Sequence, residues 1–250
     1  MRNFINVIGN TLVMCTNPIT INHRYGNKVV SRVVPCGKCS ECRSIQQSQF
    51  AALTLMELAD ADSFVFATLT YRDKDMMWSL VNGDDYDLQR GLKYSLSSEG
   101  KLTFTKLDDL VYYPTLHRED LKDHMKRFRK SIGIERSKMF RYACFGEYGS
   151  RRNRPHYHCC LVNLSPQECS IFSDLWQKYY GSACLINIPR FNLDGSNAYL
   201  KVAKYIAKYV SKGDALPDFC RFSSVEKPRK MCSRSYGLRN LDISRLRNFI

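Results

Sequence analysis

The feature that most constrains the fold is the order of two kinds of hydrophobic pattern between residues 61 and 215. Short runs rich in β-branched and aromatic residues, such as Ser63–Tyr71 and Met139–Gly146, indicate strands. Longer segments such as His117–Ile132 carry apolar residues at helical spacing. The resulting order, strand–helix–strand–strand–helix–strand–helix, predicts an α+β domain: a central antiparallel sheet with helices packed on a face.

Two flanking parts complete the predicted organisation. Residues 1–60 form a small cysteine-containing N-terminal region with β-prone runs and a helical stretch over Ser40–Ala59. Residues 61–215 form the α+β domain. Residues 216–250 form a basic tail, in which one strand is expected near Arg234–Leu238.

The charge of the chain indicates the kind of partner it has. Its 250 residues include 38 Lys and Arg against 24 Asp and Glu, a net charge of +14. Such a surplus favours a polyanionic partner, above all nucleic acid, and the alternative is a generally basic soluble protein. The sequence has no run of about 18 apolar residues that would span a membrane and no apolar core of a signal peptide at its start. We therefore expect a protein inside a cell, away from membranes.

A candidate metal site lies on one predicted hairpin. His156 and His158 alternate on a strand, so both side chains point to the same side of the sheet. Glu147 lies nine residues earlier, at the end of the paired strand, and the hairpin brings it back beside them. Two imidazoles and a carboxylate leave positions open for water or a phosphate oxygen, and Mg²⁺ or Mn²⁺ would suit phosphodiester chemistry. The alternative is a partly exposed polar strand face.

Basic residues accompany these ligands. Arg151, Arg152 and Arg154 lie in the turn of the hairpin, where they can grip a DNA backbone. Each of them is also an ordinary residue for a solvated turn. Lys201 and Lys204 lie on the polar face of the last helix and are further candidates for DNA contacts.

That last helix carries two candidate nucleophiles. At 100° per residue, apolar side chains fall on one arc and a polar arc holds Tyr205, Lys208, Tyr209 and Lys212. The tyrosines are one turn apart, so their hydroxyls can address one region. A lysine three residues after each tyrosine can stabilise a phenolate or hold a phosphate, and a tyrosine nucleophile needs such help. The alternative is a basic helix anchored by half-buried tyrosines.

Cysteines form a second candidate metal site. Cys36, Cys39 and Cys42 follow at two-residue spacing, and Cys15 can supply a fourth sulfur. Four thiolates suit a structural Zn²⁺ ion and, less well, an iron–sulfur centre. The close triplet can reach one ion only if the chain turns there. Reduced cysteines at a helix start are the alternative. Cysteines elsewhere, among them Cys184, are expected to be small buried hydrophobic residues.

Together these motifs carry a resemblance. Phe66–Tyr71, then Glu147 with His156-Tyr157-His158, then the repeated Tyr-x-x-Lys resemble the HUH endonucleases of rolling-circle replication, in the order found in replication initiators. Tandem tyrosines with three residues between them are similar to those of the microviruses, small single-stranded DNA phages. Val34–Cys39 and Phe145–His158 look like signatures of the gokushovirus branch.

The resemblance implies a function and roles for residues. It implies site-specific nicking and joining of single-stranded DNA at a replication origin, with Tyr205 and Tyr209 alternating as nucleophiles in an order left open. Lys208 and Lys212 would assist at the phosphate, and Thr68–Thr70 would lie beside the site. The sequence lacks a G-x-x-x-x-G-K-[ST] loop, so we expect a host helicase and other host replication proteins as partners, in the cytoplasm of the phage's host.

Two other functions compete with this one. A non-enzymatic protein that binds single-stranded nucleic acid on a basic, aromatic sheet would need neither the histidine pair nor the paired Tyr-x-x-Lys units. A tyrosine transposase of the same chemistry usually has a single tyrosine.

Overall fold

A computed structural model describes most of the chain. The described residues are 4–8, 11–26, 28–59, 61–81, 93–96, 102–105, 111–150, 153–192, 195, 197–211 and 225–238. The helices are α1 (Ser40–Leu58), α2 (Arg118–Ile132), α3 (Ile134–Met139), α4 (Pro166–Tyr179) and α5 (Ala198–Ser211). The strands are β1 (Phe4–Ile8), β2 (Thr11–Cys15), β3 (Ile19–Tyr25), β4 (Lys28–Val34), β5 (Phe64–Tyr71), β6 (Met77–Val81), β7 (Lys93–Leu96), β8 (Leu102–Thr105), β9 (Val111–Thr115), β10 (Arg141–Tyr148), β11 (Pro155–Val162), β12 (Gly181–Asn187) and β13 (Lys230–Cys232).

Five of these strands form the central sheet, in the order β12-β5-β11-β10-β13, and each neighbouring pair is antiparallel. Four two-stranded hairpins or ladders accompany it: β1 with β2, β3 with β4, β6 with β9, and β7 with β8. The predicted α+β class with a central antiparallel sheet is therefore confirmed. Within the described residues, no helix has the length and apolar character needed to cross a membrane.

Each face of the sheet has its own core. Alternation along β5 sends Val65, Ala67 and Leu69 to one face, where they pack with buried residues of α2 and α4 such as Phe128 and Trp176. The other face carries Phe64, Ala143, Phe145, Cys160 and Val162, which pack with α1 and α5. Helices thus cover both faces, whereas the sequence pattern predicted them on one.

Local signals explain the best-defined helices. Ser165 begins α4 with a capping box: its hydroxyl accepts the Glu168 amide, and the Glu168 carboxylate accepts the Ser165 amide. Arg136 of α3 also donates to Glu168, at 2.6 Å. The guanidinium lowers the pKa of that carboxyl to about 2. This pair joins α3, a helix that the sequence pattern did not predict, to the start of α4.

Other local expectations were wrong. The strand of the tail is β13, at Lys230–Cys232, and Arg234–Leu238 forms the turn after it. The turn seats Gly237, with φ of 73°, so close to the Leu53 carbonyl of α1 that a Cβ would clash. Cys184, expected to be buried, is exposed because β12 is the edge strand. Both α1, from the predicted N-terminal region, and β13, from the predicted tail, pack on the central sheet.

A buried histidine makes the fold sensitive to acid. His124 of α2 is fully buried against Phe172 and Trp176, with ring centroids 4.4 and 5.2 Å away, and neither ring nitrogen has a partner among the described residues. Burial first, and the charge of Arg127 second, lower the pKa of His124 to about 3. The folded state therefore excludes a proton that the unfolded chain binds near pH 6.5.

We expect stability to fall by roughly 2 kcal/mol between pH 7 and pH 5 through His124 alone. Urea unfolding of the wild type and of His124→Leu at both pH values measures this, because the variant should lose that part of the pH dependence. His23→Leu is the control, since His23 is exposed on β3. An unchanged pH slope in His124→Leu would contradict the assignment.

Candidate active site

The register of the central sheet brings the predicted metal ligands together. In the β10–β11 hairpin Glu147 pairs directly with His156. On the other side of β11, strand β5 places Thr70 opposite His156 and Thr68 opposite His158. The partly buried side chains of Glu147, His156 and His158 lie on the α5 side of the sheet, at the border of the core formed with that helix.

Three ligand atoms of these side chains converge. The Nε2 atoms of His156 and His158 are 3.2 Å apart. Glu147 Oε2 lies 3.2 Å from His158 Nε2 and 3.6 Å from His156 Nε2. Ligand atoms about 3 Å apart are the spacing expected for neighbouring positions around one ion with metal–ligand bonds near 2.1 Å.

Hydrogen bonds at the far side of each ring set its orientation. His156 Nδ1 lies 3.1 Å from the Arg154 carbonyl oxygen, and His158 Nδ1 lies 3.2 Å from Thr68 Oγ1. A carbonyl oxygen only accepts, so His156 carries its proton on Nδ1 and presents the Nε2 lone pair to the cluster. His158 has the same arrangement when it donates to Thr68. Outer hydrogen bonds of this kind are typical of metal-binding histidines, and the donor set fits a divalent cation.

Helix α5 lays its two tyrosines beside this cluster. The Tyr209 ring packs on the His158 ring at 4.5 Å between centroids, and the Tyr205 ring meets Phe66 edge-on at 5.9 Å. The Tyr209 hydroxyl donates to the Tyr205 hydroxyl at 2.7 Å. The helix is anchored by Ala203, Ile206 and Ala207, which are buried as the projection predicted.

The tyrosines differ in their surroundings. Tyr205 is 48% exposed, whereas Tyr209 is partly buried. Burial raises the pKa of Tyr209 well above its usual range, with smaller contributions from the bond to Tyr205 and from the charge of Glu147. A phenol in this environment stays protonated at neutral pH unless positive charge approaches it.

The basic residues are distributed unevenly. Lys201, Lys204 and Lys208 are all exposed along α5. Arg154 is held in the protein: it pairs with Asp73 and donates to the Tyr71 carbonyl at 2.9 Å, which fastens the hairpin to the end of β5. Arg151, Arg152 and Lys212 lie outside the described residues.

Two aromatic residues of the site were not singled out from the sequence. Phe66 stacks on His158 with 5.5 Å between centroids and an interplanar angle of 13°, and Phe145 lies 6.1 Å from Tyr209. Both share the face of the metal ligands: Phe145 is two residues before Glu147, and Phe66 two before Thr68. Strand alternation was the signal that could have found them.

The cysteine cluster also assembles. The Sγ atoms of Cys15, Cys36, Cys39 and Cys42 all lie within 4.8 Å of one another. Backbone N–H groups lower the pKa of Cys36, and that of Cys39 to about 6, whereas burial raises the pKa of Cys42 to about 12. The chain therefore makes the turn that the close cysteine triplet required.

An antiparallel sheet with this ligand cluster beside a two-tyrosine helix belongs to the class of replication proteins that the sequence resembled. The family model for the ORF2 type of replication-associated protein matches residues 64–214, and the chain belongs to that family. The match runs from the first residue of β5 to just beyond α5, so it contains both the histidine pair and the tyrosines.

Curated relatives agree with this family. The chain is 26% identical over 218 residues to "Replication-associated protein ORF2" of Spiroplasma virus 4, which covers 85% of this chain and 58% of the relative. It is 22% identical over 196 residues to "Replication-associated protein VP4" of Bdellovibrio phage phiMH2K, 75% of this chain and 52% of the relative. The chain thus spans about half the length of the curated relatives it matches. No solved structure matches it significantly.

Proposed function

We propose that the protein nicks and rejoins single-stranded DNA at a phage replication origin, and so starts and ends rolling-circle replication. One observation carries the proposal: the Tyr209 ring lies against His158, one of three side chains whose ligand atoms converge within 3.6 Å. A nucleophile and a site for the phosphate's counter-charge are therefore adjacent. Membership in a family of replication-associated proteins, with relatives in phages, supports the same function.

Glu147, His156 and His158 would hold a divalent cation, Mg²⁺ or Mn²⁺. When bound, such an ion polarises a phosphodiester oxygen and absorbs the negative charge that develops during phosphoryl transfer. The contribution of the protein is the fixed ligand geometry, secured through Thr68 and the Arg154 carbonyl.

The chemical step is a transesterification. A tyrosine oxygen attacks the scissile phosphorus, the bond to the 3′ oxygen breaks, and the DNA 5′ phosphate becomes linked to tyrosine. The phenol proton passes to solvent or a nearby base, and the departing 3′ oxygen takes up a proton. One phosphodiester replaces another, so a later attack by a 3′ hydroxyl rejoins the strand without ATP.

The paired hydroxyls suit repeated cutting. With 2.7 Å between their oxygens, Tyr205 and Tyr209 address the same phosphate position. When one tyrosine holds the DNA end, the other can cut at the completed circle. Lys208, three residues after Tyr205 and exposed on the same helix, would hold the phosphate; Lys212 would do so for Tyr209.

The remaining contacts would guide the strand. Lys201 and Lys204 extend the exposed basic face of α5, and Arg151 and Arg152 would add charge at the hairpin turn. Arg154 would act chiefly by fixing that turn, because its guanidinium already pairs with Asp73. Unwinding would fall to a host helicase, which places the protein with host replication proteins inside the host cell.

A covalent-adduct assay tests the function directly. The full chain is incubated with end-labelled single-stranded oligonucleotides tiled across the phage origin, with Mg²⁺, Mn²⁺ or EDTA, and analysed on denaturing gels. We expect one cleaved sequence, a protein-linked 5′ fragment, and no product in EDTA. Cleavage without a protein-linked intermediate would contradict the tyrosine chemistry.

The same assay separates the competing functions. A non-enzymatic binder would retard the oligonucleotides on native gels and leave every strand intact. A transposase would cut at the ends of a mobile element and show no preference for the phage origin. Origin-specific, divalent-dependent adducts are expected from the proposed function alone.

A further inference from the structure

We propose that Cys15, Cys36, Cys39 and Cys42 hold a structural zinc ion, and that this ion fixes the end of α1 that supports the tyrosine end of α5. The site lies outside the segment that matches the family, residues 64–214. It draws on the end of β2, the loop after β4 and the first turn of α1. The inference concerns a second metal and a different part of the molecule, so it does not depend on the nicking chemistry.

The sulfur geometry fits a tetrahedral ion. Cys36 and Cys42 have their Sγ atoms 4.0 Å apart, and Cys39 and Cys15 have theirs 3.9 Å apart. Four sulfurs at 2.3 Å from a tetrahedral Zn²⁺ would be separated by about 3.8 Å. Sulfur–sulfur bonds are near 2.0 Å, so these distances describe four thiols around a centre and not disulfides.

The backbone around the cluster is shaped for thiolates. Gly37 takes a left-handed φ of 73°, which lets the chain reverse between Cys36 and Cys39. The amides of Lys38 and Cys39 then point at Cys36 Sγ, at 3.4 and 3.3 Å, and the amide of Cys36 points at Cys15 Sγ, at 3.3 Å. Amide donors aimed at sulfur stabilise the deprotonated form that a zinc ligand requires.

The ion would fasten segments that have little other support. Nearly every residue of the β3–β4 hairpin between Cys15 and Cys36 is at least partly exposed, including Val29, Val30 and Val33. Apolar burial therefore does little to hold this hairpin among the described residues. A four-sulfur site would instead close the loop from Cys15 to Cys42 and secure both ends of the hairpin to α1.

Helix α1 transmits this order to the tyrosines. Phe50 of α1 meets Phe145 edge-on at 5.2 Å, and Phe145 in turn lies 6.1 Å from Tyr209. The far end of α1 is tied to the opposite end of α5: Arg190 donates to the Ala59 carbonyl, and the Arg190 carbonyl accepts the Ala198 amide. The two helices therefore run in opposite directions, with the cysteine end of α1 on the side of Tyr209.

Metal analysis of the full chain tests the site. To exclude the histidine cluster, zinc is measured in a His156→Ala/His158→Ala background, where we expect about one zinc per chain. Adding Cys36→Ser and Cys39→Ser should lower this at least tenfold, and adding Cys184→Ser, an exposed cysteine outside the cluster, should leave it unchanged. Wild-type protein provides a check that does not require the variant to fold: a mercurial should release zinc as the cluster thiols react, as read by a metallochromic dye.

Hydrogen exchange tests the link to α5. Removing zinc from the cluster should speed amide exchange at the start of α1 and in residues 205–211, while β5 keeps its protection. Zinc-free protein as purified, or zinc retained after loss of both cysteines, would overturn the site. Faster exchange confined to residues 15–45 would overturn the support of the tyrosine helix. None of these measurements involves DNA, so their outcome and that of the nicking assay are separate.

Discussion

Replacing both Tyr205 and Tyr209 with phenylalanine should abolish the covalent DNA adduct, with a fall in cleavage rate of at least roughly 10³-fold, because both nucleophilic oxygens are lost. Each single variant should still form adduct through the remaining hydroxyl. Tyr209→Phe should cost more than Tyr205→Phe for the first cut, because the Tyr209 ring lies on His158 whereas Tyr205 packs on Phe66. Rates come from single-turnover cleavage on denaturing gels.

Phenylalanine preserves the ring packing of both residues, so the variants should keep the fold. Tyr179→Phe is the matched control: Tyr179 is also an exposed helical tyrosine, but it lies on α4, which packs on the other face of the sheet. Single variants should fail in a different way from the double variant, since they cut once but do not release a closed circle from a two-site substrate. An adduct persisting in the double variant would assign the nucleophile elsewhere.

The part of the site that could be predicted from the sequence is the part governed by short-range geometry. The two-residue period of a strand fixed His156 and His158 on one face, and hairpin pairing placed Glu147 opposite His156. The helical period likewise put Tyr205 and Tyr209 one turn apart. Each of these relations depends on residues fewer than twelve positions apart.

The unpredicted features depend on contacts between distant segments. The apolar residues of α1 are only loosely periodic, and nothing local indicates that α1 packs beside α5, more than 140 residues later, on the second face of the sheet. Arg154 looked like a DNA ligand because its partner Asp73 lies 81 residues away. The closing of the cysteine cluster likewise required the left-handed turn at Gly37. Tertiary packing decided these points.

Removal of the metal ligands should have the second large effect. Glu147→Gln keeps the size of the side chain and removes its charge, and His158→Ala removes one imidazole. Either change should weaken divalent-cation binding by roughly 100-fold or more and reduce cleavage at limiting Mg²⁺ or Mn²⁺ to background, because two ligands hold an ion poorly. Mn²⁺ binding followed by electron paramagnetic resonance measures the affinity without any need for DNA.

Threonines on β5 supply a graded test of the same site. Thr68 accepts the Nδ1 hydrogen of His158 at 3.2 Å, so Thr68→Val should free the ring to turn and weaken Mn²⁺ binding by about 10–100-fold. Thr70→Val is the matched control, because Thr70 lies opposite His156 but its hydroxyl donates to the Ser182 carbonyl. Excess Mn²⁺ should restore cleavage by Thr68→Val but not by Glu147→Gln. Equal effects of the two threonine changes would mean that the hydroxyl of Thr68 does not orient His158.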